Sequence, residues 1–335
     1  MREVYLGWHE LAMEALRQEV ANPREYKDVD RIVVLGMGGS GIAGDLVALT
    51  GLETGSAFVT VVKDFYVPKP VVNDRTLVLA ISYSGNTRET LLSLELCSKR
   101  TSKIVAVSSG GLLEEYAMKR GIPFVKVRRG LAPRTALPAL YAAAMKGLLT
   151  VGVSMCESST LERWFDVLKE VRKAEFDAAS LASFLRRARM PLIVASARYA
   201  VLATRIKNEL NENAKMPAKV EIAPELFHND IVGWERKLYS DRAIVVESDI
   251  PYEVEYLKLY TEILTDVGFE VEMLRLIGDG VVPRVLYGSL VAGLASVKVA
   301  EIAGIDPLAT KSIAAYKSFI NNMEGEIRRT LGLSD

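Results

Sequence analysis

Histidine and cysteine are both scarce in this 335-residue chain: His9 and His228 are its two histidines, Cys97 and Cys156 its two cysteines. No HExxH and no paired Cys/His motif accompanies them, which argues against a histidine-rich metal centre, so no metal is expected. Two cysteines with no CxxC and no pairable spacing speak for a reducing, cytoplasmic setting. Net charge is missing too, because 42 Lys plus Arg offset 42 Asp plus Glu. Without a basic field to displace counterions, nucleic acid is not an expected partner, and any anion has to be held locally. Apolar runs read as interrupted well before about 18 residues, so no transmembrane helix and no membrane partner are expected. The N-terminus MREVYLGWHE has an early acid and no apolar stretch, so no signal peptide is expected.

What the chain does have is an ordinary globular composition, 50% hydrophobic and 25% charged. Its length suits two domains of ~150 residues. The first ~25 residues carry Leu11, Ala15, Leu16 and Val20 at helical spacing and predict an amphipathic helix. Short β-branched runs at Arg31–Leu35, Phe58–Val62, Leu77–Ile81, Lys103–Val107 and Phe124–Val127 then alternate with helical stretches. That alternation predicts βαβ units and a parallel sheet covered on both faces. After a helical stretch near 161–189 the pattern restarts, with strands at Pro191–Ala195, Ala243–Glu247 and Val271–Leu276 and helices at 199–213 and 252–266. The expected fold is α/β: two tandem αβα sandwiches, residues 1–155 and 156–335, with a tail helical throughout from about Gly288.

Two loops invite a ligand. Gly36-Met-Gly-Gly-Ser-Gly41 follows a strand and opens a helix, matching GxGxxG. Asp64 lies roughly 20 residues on, where a dinucleotide fold places its ribose-binding acid, so a nicotinamide-dependent dehydrogenase is one reading. A glycine turn needed only for positive φ and close packing is another. The second loop, Ser82-Tyr-Ser-Gly-Asn-Thr87, sets three hydroxyls between a strand and a helix. A phosphate monoester carries about −1.5 to −2 charges and three acceptor oxygens. Short hydroxyls and free N–H groups at a helix N-terminus aim donors at one point, and the helix dipole favours the anion. One capping hydroxyl would be routine, but three in six residues exceed what a cap needs. Gly39, Ser40, Ser82, Ser84 and Thr87 are therefore the candidate phosphate-binding residues.

GMGGSGIAGD followed by ISYSGNTRET resembles the sugar isomerase (SIS) domain. The segments NELNENAK (208–215), PELFHNDIVGW (224–234) and DPLATKSIAAYK (306–317) are similar to those of the bifunctional phosphoglucose/phosphomannose isomerase family. The resemblance runs from about residue 30 to 320. It implies two SIS-like subdomains, a homodimer, no cofactor, and a place in glycolysis and gluconeogenesis. It also implies reversible conversion of glucose 6-phosphate or mannose 6-phosphate to fructose 6-phosphate.

Such a reaction opens the sugar ring and then moves a proton between C2 and C1 through an enediol or enediolate. It needs a base near those carbons, a cation against the enediolate oxygens, and an acid–base pair at the ring oxygen. By the resemblance, Glu212 is the proton shuttle, with Glu209 and Glu225 as local competitors. His228 would open the ring and would come from the neighbouring subunit. Phe227 and Asp230, where the family commonly has a polar residue and a glutamate, depart from its pattern. Lys317 would partner the histidine, with Lys311 the alternative. Arg134 would steady the enediolate through its planar guanidinium fork. Thr310 matches a position linked to accepting the C2 epimer, while a helix-capping threonine is the plainer reading. Trp8, His9, Trp164 and the Tyr252–Tyr260 stretch have no motif around them and are expected to pack. The rival readings are a non-enzymatic SIS sensor, the dehydrogenase, and another SIS isomerase.

Overall fold

In a computed structural model, which describes residues 1–333, the chain falls into two compact units. The N-terminal unit is Gly7–Arg163 with Thr310–Asp335, and the C-terminal unit is Met1–Leu6 with Trp164–Ala309. Both ends of the chain are thus exchanged relative to a simple division at 155. The six N-terminal residues group with the second half and the tail with the first.

The N-terminal unit is built on six strands: β1 Val20–Ala21, β2 Arg31–Leu35, β3 Val59–Val62, β4 Thr76–Ile81, β5 Ile104–Ser108 and β6 Phe124–Lys126. Their order is β1-β6-β5-β4-β2-β3, parallel throughout except for β1 against β6. Every residue of β4 and β5 is buried, as strands between two helical layers must be. Val33, Val78, Ala80 and Ala106 share one core with Leu94 and Cys97 of helix Arg88–Ser98 and Leu113 and Ala117 of helix Gly111–Arg120. Burial pushes the Cys97 thiol up to about 12, so it behaves as a small apolar core residue. From β2 the chain passes to β3 on one side, whereas β4, β5 and β6 extend the sheet on the other. The order therefore reverses between β2 and β4, and parallel sheets bind ligands beyond the carboxyl ends of strands at such a reversal.

In the C-terminal unit, β7 Leu192–Ser196, β8 Lys219–Ala223, β9 Arg242–Val246 and β10 Glu270–Leu274 form an all-parallel sheet ordered β10-β9-β7-β8. Helix Val281–Ile302 corrects the reading of the apolar runs. It is long and apolar enough to cross a membrane by length and composition, yet 83% of its apolar window is buried inside the protein. Its charged residues, Arg284, Lys298 and Glu301, lie near its ends, and core helices pass the same test.

Three other expectations change. The first helix is two, Arg2–Leu6 and Trp8–Arg17, and Val20 pairs with Val125 as a strand instead of continuing the helix. Strand β8 was unexpected because its sequence, KVEIA, buries Glu221 and Ala223 and leaves Val220 and Ile222 half-buried, masking the alternation. The tail is not helical throughout: Gly304 takes a left-handed φ of 66° and Pro307 follows, separating Ile302 from the last helix, Lys311–Leu331. That last helix docks on Arg88–Ser98, with Ile327, Leu331 and Leu333 packed beside Leu92 and Leu96 and Arg328 paired to Glu95 at 3.1 Å. Contacts at its far end explain why the tail groups with the first half.

Leu79, fully buried in the central strand β4, gives a direct check of this core. Leu79→Ala should lower the unfolding free energy by about 2–5 kcal/mol. Denaturant titration followed by circular dichroism reads that loss as a lower midpoint at unchanged slope.

Candidate active site

At the sheet reversal of the N-terminal unit, three backbone segments meet. The first is the turn from β2 into helix Gly38–Thr54, where Gly38 has a φ of 53°. A Cβ on Gly39 would lie 2.9 Å from the Pro133 carbonyl oxygen and 3.2 Å from the Arg134 Cα. Glycine is required there because backbone abuts backbone. That contact seats the short 3₁₀ turn Pro133–Ala136, with Arg134 only 4% exposed, beside the start of the helix. The Ser40 hydroxyl accepts a hydrogen bond from the Tyr83 N–H at 3.0 Å and ties this turn to the second loop.

The second loop follows β4. The Ser82 hydroxyl donates to Thr87 Oγ1 at 3.0 Å, the Asn86 N–H to Ser84 Oγ at 3.2 Å, and the Gly85 N–H to the Ser82 carbonyl at 3.0 Å. Thr87 occupies the N-cap position of helix Arg88–Ser98 but makes no side-chain capping bond. The capping explanation thus does not account for its hydroxyl. Helix Gly38–Thr54 likewise begins without a side-chain cap. Two helix N-termini with uncapped first turns flank the reversal, and the ends of helices favour an anion.

Tyr83, in the same loop, was not singled out by the sequence pattern. Its hydroxyl donates to the Arg128 carbonyl at 3.0 Å and accepts from the Leu131 N–H at 2.7 Å, fixing the turn that leads to Arg134. Trp8 adds a second anchor, donating its indole N–H to the Thr135 carbonyl at 2.8 Å. The expectation that Trp8 packs is met, with this extra role. Neither could be found from motif spacing, since each acts on a residue some 45 to 127 positions away.

Thr310 and Lys317 lie in the same unit. Thr310 stands at the N-cap position of Lys311–Leu331 but forms no side-chain cap bond, so the plain capping reading fails here as well. Lys311 and Lys317 are both exposed. Lys317 follows Tyr316, whose hydroxyl donates to Glu89 at 2.7 Å in the first turn of the helix that starts at the second loop. Burial, together with the Glu89 carboxylate, pushes the Tyr316 hydroxyl up to about 12. Arg88 reaches the same tail helix through Glu324 at 3.1 Å. These bonds hold the lysine-bearing helix against the loop-bearing one.

The C-terminal unit carries the other two candidates. Glu212 lies in a π-helical turn, Leu210–Ala214, that continues helix Ala200–Glu209, and it is half-buried. Lys215 closes this turn in a left-handed conformation and donates to the Glu212 carbonyl at 2.6 Å. Of its competitors, Glu209 is buried in an ion pair with Arg205, and Glu225 is exposed and accepts from Asn229 at 2.8 Å. His228 is exposed at the end of the short turn Glu225–His228 that follows β8. Both departures from the family pattern have local partners. Phe227 packs edge-on against Tyr256 and Tyr260, with ring centroids 6.0 and 5.6 Å away. Asp230 pairs with Lys219 at 3.0 Å.

Two parallel αβα units, one with glycine and hydroxyl loops at its reversal point, define a protein of the SIS class. Residues 25–112 match the SIS domain, and residues 174–320 match the bacterial phospho-glucose isomerase C-terminal SIS domain. A bifunctional phosphoglucose/phosphomannose isomerase from Aeropyrum pernix is 35% identical over 327 residues, covering 95% of this chain and 97% of the relative. One from Pyrobaculum calidifontis is 35% identical over 321 residues, covering 93% and 97%. The C-terminal domain of glucosamine-fructose-6-phosphate aminotransferase from Francisella tularensis shares the fold, with a TM-score of 0.70 at 16% identity over 91% of this chain and 96% of that one. The chain belongs to the bifunctional phosphoglucose/phosphomannose isomerase family.

Gly85 tests the loop geometry. It has a φ of 70°, and a Cβ there would fall 1.7 Å from the Gly110 carbonyl oxygen. Gly85→Ala should cost on the order of 1–3 kcal/mol from the left-handed conformation alone and must also displace the loop. A lower melting temperature, with loss of the thermal protection given by added sugar phosphate, is the expected result.

Proposed function

We propose that this protein is an aldose–ketose isomerase that interconverts glucose 6-phosphate and mannose 6-phosphate with fructose 6-phosphate. The observation that carries the reading is the backbone contact of Gly39 with the Arg134 turn, beside the Ser82–Thr87 loop. It supports a dianion held at one point with a guanidinium nearby. Gly39, Ser40, Ser82, Ser84 and Thr87 bind the phosphate through hydroxyls and backbone N–H groups.

His228 and Lys317 open the ring by exchanging protons with the ring oxygen and its hydroxyl. An exposed imidazole is suited to that exchange because its two ring nitrogens can both accept and donate a proton. Glu212 then removes the proton from C2 of the aldose, and the electron pair left behind forms the enediolate. Arg134 stabilises the negative charge that collects on the oxygens. Returning the proton to C1 yields the ketose, and the reverse path leaves either C2 epimer. Thr310, small and half-buried, leaves room for the open chain to rotate between the two. The protein works as a homodimer in which His228 is supplied to the partner's site. A cytoplasmic setting follows from such a substrate.

A coupled assay for fructose 6-phosphate, run on EDTA-treated protein with each aldose phosphate, tests the reading. Turnover of both is expected, and a sugar-phosphate sensor would give none. Glu212→Gln should reduce kcat by about 10²–10⁴-fold while sugar-phosphate binding survives. A variant with near wild-type turnover would remove the proton-transfer assignment.

The dimer proposal has its own check. Mixing inactive Glu212→Gln and His228→Ala proteins under subunit exchange should restore about a quarter of wild-type activity, because half the dimers are mixed and each holds one intact site. No recovery, with exchange verified by mass, would place His228 in its own subunit's site.

A further inference from the structure

We infer that Tyr5, through a buried network centred on Glu209, is a positioning residue for the catalytic glutamate. This rests on the assignment of Glu212 above and extends it to residues outside every motif. Glu209 and Arg205 are each 1% exposed and form an ion pair. A carboxylate so deeply buried has to be surrounded by donors. Besides Arg205, Glu209 Oε2 accepts from the Tyr5 hydroxyl at 2.6 Å and from Asn213 Nδ2 at 2.7 Å. Asn213 is held in turn by Ser296 at 2.9 Å and the Tyr5 oxygen at 3.1 Å, and the Ser296 hydroxyl donates to the Gly293 carbonyl at 2.8 Å.

The position of this network in the chain gives it its consequence. Glu209 is the last α-helical residue before the π turn and Asn213 lies within that turn, so the two anchors bracket Glu212. A π turn inserts one residue into the helical ladder, and its hydrogen bonding is rarely stable without help. Relative to an uninterrupted α-helix, the insertion rotates the following side chains by about 100°. The direction of the Glu212 carboxylate therefore depends on whether the turn stays π-helical, and the Glu209–Asn213 bond spans that turn.

Tyr5 arrives from the short helix Arg2–Leu6, 204 positions away in the chain. Its ring fills a notch at Gly293, where a Cβ would lie 2.1 Å from Tyr5 Cε1. The ring is fully buried, and its hydroxyl has Glu209 and Asn213 as partners. The N-terminal residues thus act as a strap whose polar end locks the turn that carries the proton shuttle.

Tyr5→Phe keeps the ring in its notch and removes the locking oxygen. Measured well below each variant's melting temperature, it should lower kcat about 10-fold or more while KM stays within about twofold, since misplacing a reacting group by a fraction of an ångström acts on the chemical step. Ser296→Ala, which loosens Asn213 from the far side, should show the same split to a smaller degree. A purely structural role would lower the melting temperature and leave kcat of the folded enzyme unchanged, and that result overturns the inference. So does a fall in kcat matched by an equal rise in KM. Glu212→Gln, run alongside, separates the two claims. If it is inactive and Tyr5→Phe is normal, only the strap fails; if Glu212→Gln is active, the shuttle assignment fails instead.

Discussion

The N-terminal unit depends on backbone lying directly against backbone where its parallel strands end. Gly39 abuts the Pro133–Arg134 turn, Gly85 abuts the Gly110 carbonyl, and Gly111 abuts the Ser84 carbonyl at a distance that any side chain would violate. The segments after β2, β4, β5 and β6 can converge only because none of these glycine positions has a Cβ. The convergence brings hydroxyls, helix N-termini and a buried arginine to one end of the sheet, at the place where strand order reverses. Several positive-φ glycines in this unit serve that purpose, which is a steric demand before it is a chemical one.

The C-terminal unit meets a different constraint. It lacks a comparable set of glycine loops and instead holds the turn that carries Glu212 with a buried ion pair. Removing Arg205 and Glu209 from water is unfavourable without further hydrogen bonds, and Tyr5 and Asn213 both donate to Glu209 while Ser296 holds Asn213. A second polar group, Glu221 with Tyr260 and Trp234, lies behind the segment that presents His228. Phe227 and Leu226 anchor that segment in the same aromatic core. In each case the candidate side chain, Glu212 or His228, stays accessible while its chain neighbours are fixed by burial. The two units therefore stabilise their loops differently: one through close backbone contacts at glycines, the other through turns pinned by buried polar groups.

Much of this was legible in the residues. The strands around Val33, Leu79 and Val105 are β-branched and apolar enough to be read as buried, and the glycine and serine clusters after them mark the loops. SYSGNT and NENAK also carried enough local specificity to single out Ser82, Ser84, Thr87 and Glu212 as candidates. Tyr83, Trp8 and Tyr5 were not legible, because each matters through one hydrogen bond to a residue far along the chain. Strand β8 escaped because a buried Glu221 broke the pattern that reveals strands, and its burial is tolerable because Tyr260 and Lys219 both donate to it. The apolar helix Val281–Ile302 showed the converse error, since the charges near its ends, Arg284, Lys298 and Glu301, interrupted the count of apolar residues without disturbing a helix that is buried along most of its length.

By itself the sequence determined the sheet class, the positions of the glycine- and serine-rich loops and the family, since these rest on short-range sterics and on motifs a few residues long. Tertiary structure decided which half each chain end joins, whether the helix before Glu212 continues as α or π, and which hydroxyls are left uncommitted to helix caps. The reason is physical. Local propensity is set by neighbours within a turn or a pleat, whereas a buried charge, a notch for a tyrosine ring or a docking face for a tail is completed only by residues that folding brings from elsewhere.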